Sequence, residues 1–224
     1  MQLKDVDLFA EPGSTPLEKE FNYSAQCVVT HYLECLSPVS TKRTRKAAVI
    51  VSNSAGSQYH TYQLGNISVA NTHFDFERYW ACSELDRKRW ILDTLHNGLQ
   101  ELARIHSWDT DPFDAAKSAV LAAGLRFHKL WGEPIANSRG VIYAQLVSEF
   151  GPQAIEVRVR FTDENNKLVT EKKIADCLPH YQLLAGLFGK FRWISEDHVE
   201  LKSKNKKHFV VQVSPSDNAG RGNG

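Results

Sequence analysis

The sequence predicts an α+β fold: an antiparallel β-meander, a central pair of helices, and a second antiparallel β-meander. Three observations predict it. Apolar and polar residues alternate on both flanks of the chain, helical periodicity dominates the middle, and the strand-like and helix-like segments cluster rather than alternate. With 224 residues, 42% hydrophobic and 24% charged, the composition is that of an ordinary globular protein able to bury a core without a staple.

Residues 1–19 carry Pro, Gly, Ser and charges and read as a loose lead-in. From Phe21, the residues Tyr23, Ala25, Cys27, Val29, His31, Leu33 and Cys35 recur every second position. That spacing predicts a long strand with one buried face, ended by Ser37-Pro38. The basic stretch TKRTRK (41–46) reads as a solvated loop. VIVSNSAGSQYHTY (49–62) then poses a choice between a phosphate-cradling loop and a turn. A phosphate loop needs a helix after it, whose N-terminal amides hold the anion. Here the β-formers Tyr59 to Leu64 follow, and no Gly-Lys-Ser/Thr is present. SNSAGS is therefore predicted as a hairpin connection around Gly56. Leu64-Gly65-Asn66-Ile67 is a second tight turn, and 67–76 a further strand, which makes about four antiparallel strands.

Residues 83–108 carry the clearest helical signal. Ser83 and Asp86 have capping-box spacing. Leu85, Leu92, Leu95, Leu99 and Leu102 form one apolar stripe, widened by Trp90, Ile91 and Ile105. Arg87, Lys88 and Arg89 sit in the first turns, where the helix dipole disfavours cations. Either Glu84 and Asp86 offset them, or they serve a partner. A second helix is predicted from Pro112 to Trp131, with Asp111 as N-cap, Phe113, Val120, Phe127 and Trp131 on one face, and Gly132 and Pro134 as its stop.

Strand patterns return after 138. Val141, Tyr143, Leu146 and Phe150 lead to Gly151-Pro152. Ile155, Val157, Val159 and Phe161 alternate with Glu156, Arg158 and Arg160. DENNK (163–167) turns the chain into 168–174. Residues 180–191 fit a short helix or a strand equally, and 198–202 and 208–213 form a hairpin around KSKNKK. With no linker between the flanks, one domain is expected over 20–214, followed by a disordered tail, 215–224.

Lys plus Arg number 27 and Asp plus Glu 26, a net charge of +1, so no global field draws the chain to nucleic acid or anionic lipid. No secretory signal and no run of about 18 apolar residues is present. Cys27, Cys35, Cys82 and Cys177 have irregular spacing without a CxxC pair, which favours free thiols and a cytoplasmic location.

The chemistry-bearing motifs are few. Neither HExxH nor GxSxG occurs, and His96 and His106, ten apart on one helix, are separated by roughly 15 Å. DTDPFD (109–114) lacks the glycine and closing glutamate of a calcium loop, and capping explains its acids better. No catalytic residue, metal site or cofactor is assigned. His73 and Asp75, on one face of a predicted strand, are the one candidate pair for an enzyme site.

Binding is the stronger reading. Tyr79, Trp80, Trp108 and Trp193 fall near element ends beside charges of both signs, as at protein-binding surfaces. With Asp109, Asp111 and Arg192 they form the predicted partner-binding set, against the simpler reading that the aromatics close the core. TKRTRK, RKR (87–89), KFRW (190–193) and KSKNKK (202–207) offer a single-stranded nucleic-acid alternative through Lys190, Arg192 and Trp193. Balanced charge disfavours it and favours solvated loops and edge protection as the reading of the lysines.

The segment RYWACSELDRKRWILDTLHNGLQELARIHSWDTDPFDAA, residues 78–116, resembles a stretch of uncharacterised bacterial proteins, some of them similar to immunity proteins of antibacterial toxin systems. It carries no catalytic motif and transfers no functional residue. The resemblance implies a small cytosolic protein that neutralises a toxin by tight binding. The expected function is thus a cytosolic protein-interaction module, an immunity protein in its most specific form. An enzyme near His73 and Asp75 and a single-strand binder are the alternatives.

Overall fold

The computed structural model describes residues 1–11, 15–54 and 59–213; the predicted tail, 215–224, and Gly56 lie outside them. Helices and sheets are both present, in keeping with the α+β class. The chain divides into two compact units, Met1–Phe127 and His128–Gly224, where the sequence predicts one domain over 20–214.

The first unit departs from the predicted meander. Its sheet has the order β1-β2-β4-β3, built from β1 (Asp5–Ala10), β2 (Lys46–Ser52), β3 (His60–Leu64) and β4 (Ile67–His73). β1, β2 and β4 run parallel, and only β3 pairs antiparallel, with β4. The expected hairpin at SNSAGS is overturned, because β2 and β3 flank β4 and do not pair with each other. The lead-in is structured: Val6, Leu8 and Ala10 of β1 are buried, while Asp5 and Asp7 hold Lys46 at 3.1 and 3.0 Å.

The predicted strand over 21–35 is helix α1 (Pro16–Cys35). Thr15 and Glu18 close a capping box at its start, with Pro16 in the first turn. Its buried residues include Phe21, Ser24, Ala25, Val28 and Tyr32, the three- and four-residue steps of a helix face. A parallel β1–β2 pair requires such a crossover. α1 packs on β1 and on the two long helices. In the predicted basic loop, Thr41 and Thr44 are buried, Thr44 meets Ser68 at 2.7 Å, and Lys46 belongs to β2.

The strand expected over 67–76 ends at His73, and α2 (Phe76–Ala81) follows. α3 (Glu84–His106) starts as predicted, with Ser83 accepting from the Asp86 amide at 3.2 Å. Its apolar stripe packs on β2 and β4, although Leu85 and Ile105 are exposed. α4 (Asp111–Ala122) is shorter than predicted, and its N-cap is Thr110. Gly124 and Leu125 both adopt positive φ and turn the chain out of the helix. Phe127 and Trp131 therefore lie on a strand, β5 (Phe127–Ala136), which runs through Gly132 and Pro134.

The second unit holds two sheets where the sequence predicts one meander. β5, β6 (Ile142–Phe150), β7 (Ile155–Asp163) and β8 (Leu168–Cys177) are neighbours in sequence order, and β6, β7 and β8 pair antiparallel. β7 buries Ile155, Val157, Val159 and Phe161. Its other face carries Arg158, which reaches Glu156 at 2.6 Å, Glu149 at 3.3 Å and Glu171 at 3.5 Å. The ambiguous stretch 180–191 holds both elements, helix α5 (Tyr181–Leu187) and the start of the strand at Lys190. β9 (Lys190–Trp193), β10 (His198–Lys202) and β11 (His208–Gln212) form a separate antiparallel sheet of order β11-β10-β9.

Candidate partner-binding face

The register of β9–β11 sorts its residues onto two faces. Val199 lies opposite Trp193 and Val211, and Leu201 opposite Phe191 and Phe209. Val199 and Leu201 are buried, so this is the inner face. The other face holds Lys190 and Arg192 of β9, His198, Glu200 and Lys202 of β10, and His208, Val210 and Gln212 of β11. Gly189 lets the sheet form at its edge: a Cβ there would stand 2.0 Å from the Lys202 carbonyl oxygen.

Glu200 is the centre of the outer face. Its side chain is only 4% exposed, beneath the longer side chains around it. Arg192 Nε donates to Oε1 at 2.5 Å, His208 Nε2 lies 2.8 Å from Oε2, and Lys202 Nζ is 3.6 Å from Oε1. The bond from Arg192 is the main reason its carboxyl is held below the ordinary value, with His208 and Lys202 adding to it against the burial. The cations outnumber this one carboxylate. Lys190, Lys204, Lys206 and Lys207 are exposed and make no ion pair among the described residues.

The far end of the sheet is acidic. Asp197 accepts from Ser195 Oγ at 2.8 Å and from Gln212 at 2.9 Å, and meets His198 Nδ1 at 2.7 Å. Ser195, first, then His198 and Gln212 keep its carboxyl far below the usual range. Ser195, His198 and Asp197 do not form a catalytic relay. Ser195 Oγ and Asp197 Oδ1 both address Nδ1 of His198, whereas a relay puts nucleophile and orienting acid on opposite ring nitrogens.

The predicted partner-binding residues fall into three places. Tyr79 is overturned as a surface residue: it is fully buried against Phe21, Phe74 and Trp90, with its hydroxyl 2.7 Å from Ser24 Oγ. Trp80 stacks edge-on against it and is half-buried. Trp108 is likewise buried, with His106 stacked on it at 5.1 Å. Asp109 and Asp111 are exposed, but Asp109 accepts from the Asp111 amide at 3.1 Å and so shapes the turn into α4. Arg192 faces outward. Trp193, its neighbour, is on the inner face, donating to the Ile135 carbonyl at 2.9 Å. The basic run 87–89 is absorbed locally. Lys88 reaches Glu84 at 2.8 Å and Arg89 reaches Asp86 at 3.5 Å, while Arg87 lies over the Trp80 ring at 5.2 Å.

The chemical candidates are likewise occupied. His73 meets the Asn53 carbonyl at 3.2 Å, and Asp75 caps α2 through the Arg78 amide at 3.0 Å; they do not share a strand face. Burial pushes the Cys27 thiol up to about 11. Among the described residues no three His, Cys, Asp or Glu side chains gather as metal ligands, and no helix is long and apolar enough to cross a membrane.

No family model matches the chain, and no match to it is found among curated proteins or solved structures.

The sequence offers Lys190, Arg192 and the 202–207 run as separate basic segments, and the face that joins them with His198, Glu200 and His208 is not read from it although its signal is present. Lys190 and Arg192, then His198, Glu200 and Lys202, then His208, Val210 and Gln212 are alternate positions of three short strands. Basic runs scanned as contiguous blocks hide this period of two.

Proposed function

We propose that this protein is a protein-interaction module that engages its partner through the outer face of β9–β11. The observation that carries this reading is the set of four exposed lysines, 190 on this face and 204, 206 and 207 beside it, which make no ion pair among the described residues and stand next to Arg192, Lys202 and His208. Charge of one sign, held on a rigid sheet, steers association and selects a complementary surface. The titratable groups that would serve chemistry are engaged in the fold: His73 and Asp75 in capping and turn contacts, Asp197 with its three neighbours, and Cys27 in the core.

The resemblance of residues 78–116 to immunity-type proteins supports a toxin as the partner and a cytoplasmic setting for the encounter. The test is a pull-down of the tagged protein from its native host, with and without nuclease, identified by mass spectrometry. A stoichiometric protein that survives nuclease is expected. Loss of all partners on nuclease treatment would replace this reading with nucleic-acid binding.

A further inference from the structure

We infer that the surface fitted to the outer face of β9–β11 is an acidic protein segment carrying an apolar anchor, and that a notch between β8 and β11 receives the anchor. This rests on the interaction-module reading above and adds the chemistry of the partner.

The first ground is a basic row in which two lysines stand directly opposite one another. Lys202 lies directly opposite Lys190 on one side and His208 on the other. Neighbouring strands are about 4.8 Å apart, and like charges placed opposite one another destabilise a sheet. Glu200 relieves the row only in part, since Arg192 takes Oε1 at 2.5 Å while Lys202 stands back at 3.6 Å. Lys190 has no carboxylate at all among the described residues. Carboxylates laid across this row would complete it, and the lysines of the 203–207 turn extend the positive field beyond its end.

The second ground is the notch. A depression of about 320 Å³ is lined by Ile174, Ala175, Leu187 and Phe209, with Lys173, Asp176 and Lys207 around them. Lys173 is committed to Asp176 at 2.7 Å and Glu156 at 3.2 Å, whereas Lys207 is free of ion pairs among the described residues. Lys207 lines the notch and immediately precedes His208, so the notch meets the charged row at the β11 edge of the sheet, with Phe209 reaching it from the inner face. An aliphatic or aromatic side chain in a pocket, ringed by charge pairs, is the arrangement of an interface hot spot. Val210, 48% exposed on the same outer face, adds apolar surface.

The third ground separates protein from nucleic acid. A single strand is held by aromatic rings on which bases stack, combined with cations. The aromatic residues of this sheet, Phe191, Trp193 and Phe209, share the inner face with the buried Val199 and Leu201, and of the three only Phe209 reaches the notch, which leaves one ring and no stack of rings beside the cations. The outer face presents cations, one carboxylate and a valine.

The probe is a fluorescein-labelled 12-residue Glu/Asp peptide with one central Leu, measured by anisotropy against the full chain, with a Leu→Ser peptide and a dT20 oligonucleotide alongside. The Leu peptide is expected to bind best, weakening with salt. The Leu→Ser peptide and the K190E/K202E protein should each bind about tenfold more weakly. K207E provides a second variant, on a turn where folding is not at stake. Tighter binding of dT20, or equal binding of the two peptides, overturns the proposal, as does equal binding by wild type and both variants. The host pull-down repeated with K190E/K202E keeps the two readings apart. A protein captured equally by wild type and variant leaves the interaction module standing and removes this face from it.

Discussion

Gly98 on α3 lies against Val49 on β2 so closely that a Cβ at position 98 would stand 2.5 Å from Val49 Cγ2. Both residues are buried, and the contact sets how near the helix comes to the sheet. In an exposed helix, Gly→Ala stabilises by about 1 kcal/mol through propensity alone. Here the added methyl meets a β-branched side chain with little rotamer freedom. Gly98→Ala is expected to destabilise by about 1–3 kcal/mol, and Val49→Ala in the same chain should restore part of the loss. A double-mutant cycle by urea unfolding checks it. Additive effects would show that the two residues are not coupled.

Acid should weaken the first unit through His31 and His96. His31 is buried and stacked on Phe127 at 4.9 Å, and its burial lowers its affinity for a proton. Burial also lowers that of His96, helped by Lys117 and opposed by Asp114 and Asp93. Both groups bind protons more readily when unfolded. Their contribution is therefore complete above the ordinary imidazole value of 6.5 and is lost as pH falls through the lower folded values. His31→Phe keeps the stack and removes one titration. Its Tm should fall less than that of wild type between about pH 7.5 and pH 5, and an identical fall would remove His31 from the account.

Ser107 closes α3 in the left-handed region, at φ 54° and ψ 46°. That conformation costs a residue with a side chain roughly 1–2 kcal/mol, and glycine is the usual solution at a helix C-terminus. Ser107→Gly should stabilise by about 0.5–1 kcal/mol, after the extra freedom of glycine in the unfolded chain is counted. A lower Tm for the variant would show that the side chain earns its place there.

Cys27 is expected to resist thiol reagents in the folded protein. Its sulfur donates to the Ser24 carbonyl at 3.2 Å in a buried site, and burial raises its ionisation to about 11. Little thiolate forms at about pH 8. Iodoacetamide mapped by mass spectrometry should modify Cys27 only after unfolding. Rapid labelling in native conditions would mean that α1 opens from the sheet.

Legibility in the sequence followed the strength of local signals. The start of α3 was readable because Ser83, Asp86 and the leucine stripe agree. β7 was readable because its four buried residues alternate with charged ones. α1 was misread because Phe21, Ala25, Cys27, Val29 and His31 fall on odd positions by coincidence, while the helical partners Ser24, Val28 and Tyr32 fall on even ones. The better signal stood upstream, in Thr15-Pro16 and Glu18. In α4 the spacing of Phe127 and Trp131 outweighed Gly124, which ends the helix. Tyr79 and Trp108 were placed at the surface because they lie near element ends, a criterion blind to what packs over them.

The sequence by itself determined where α3 begins, the alternation of β7 and the turns at 64–67 and 163–167, because each depends on residues only a few positions apart. Only the tertiary structure decided that β1, β2 and β4 run parallel, since strand partners far apart in the chain are chosen by packing. The same holds for the candidate face. Lys190, Lys202 and His208 become one row only when three short strands align, and Glu200 becomes the shared carboxylate of Arg192, Lys202 and His208 only through that register.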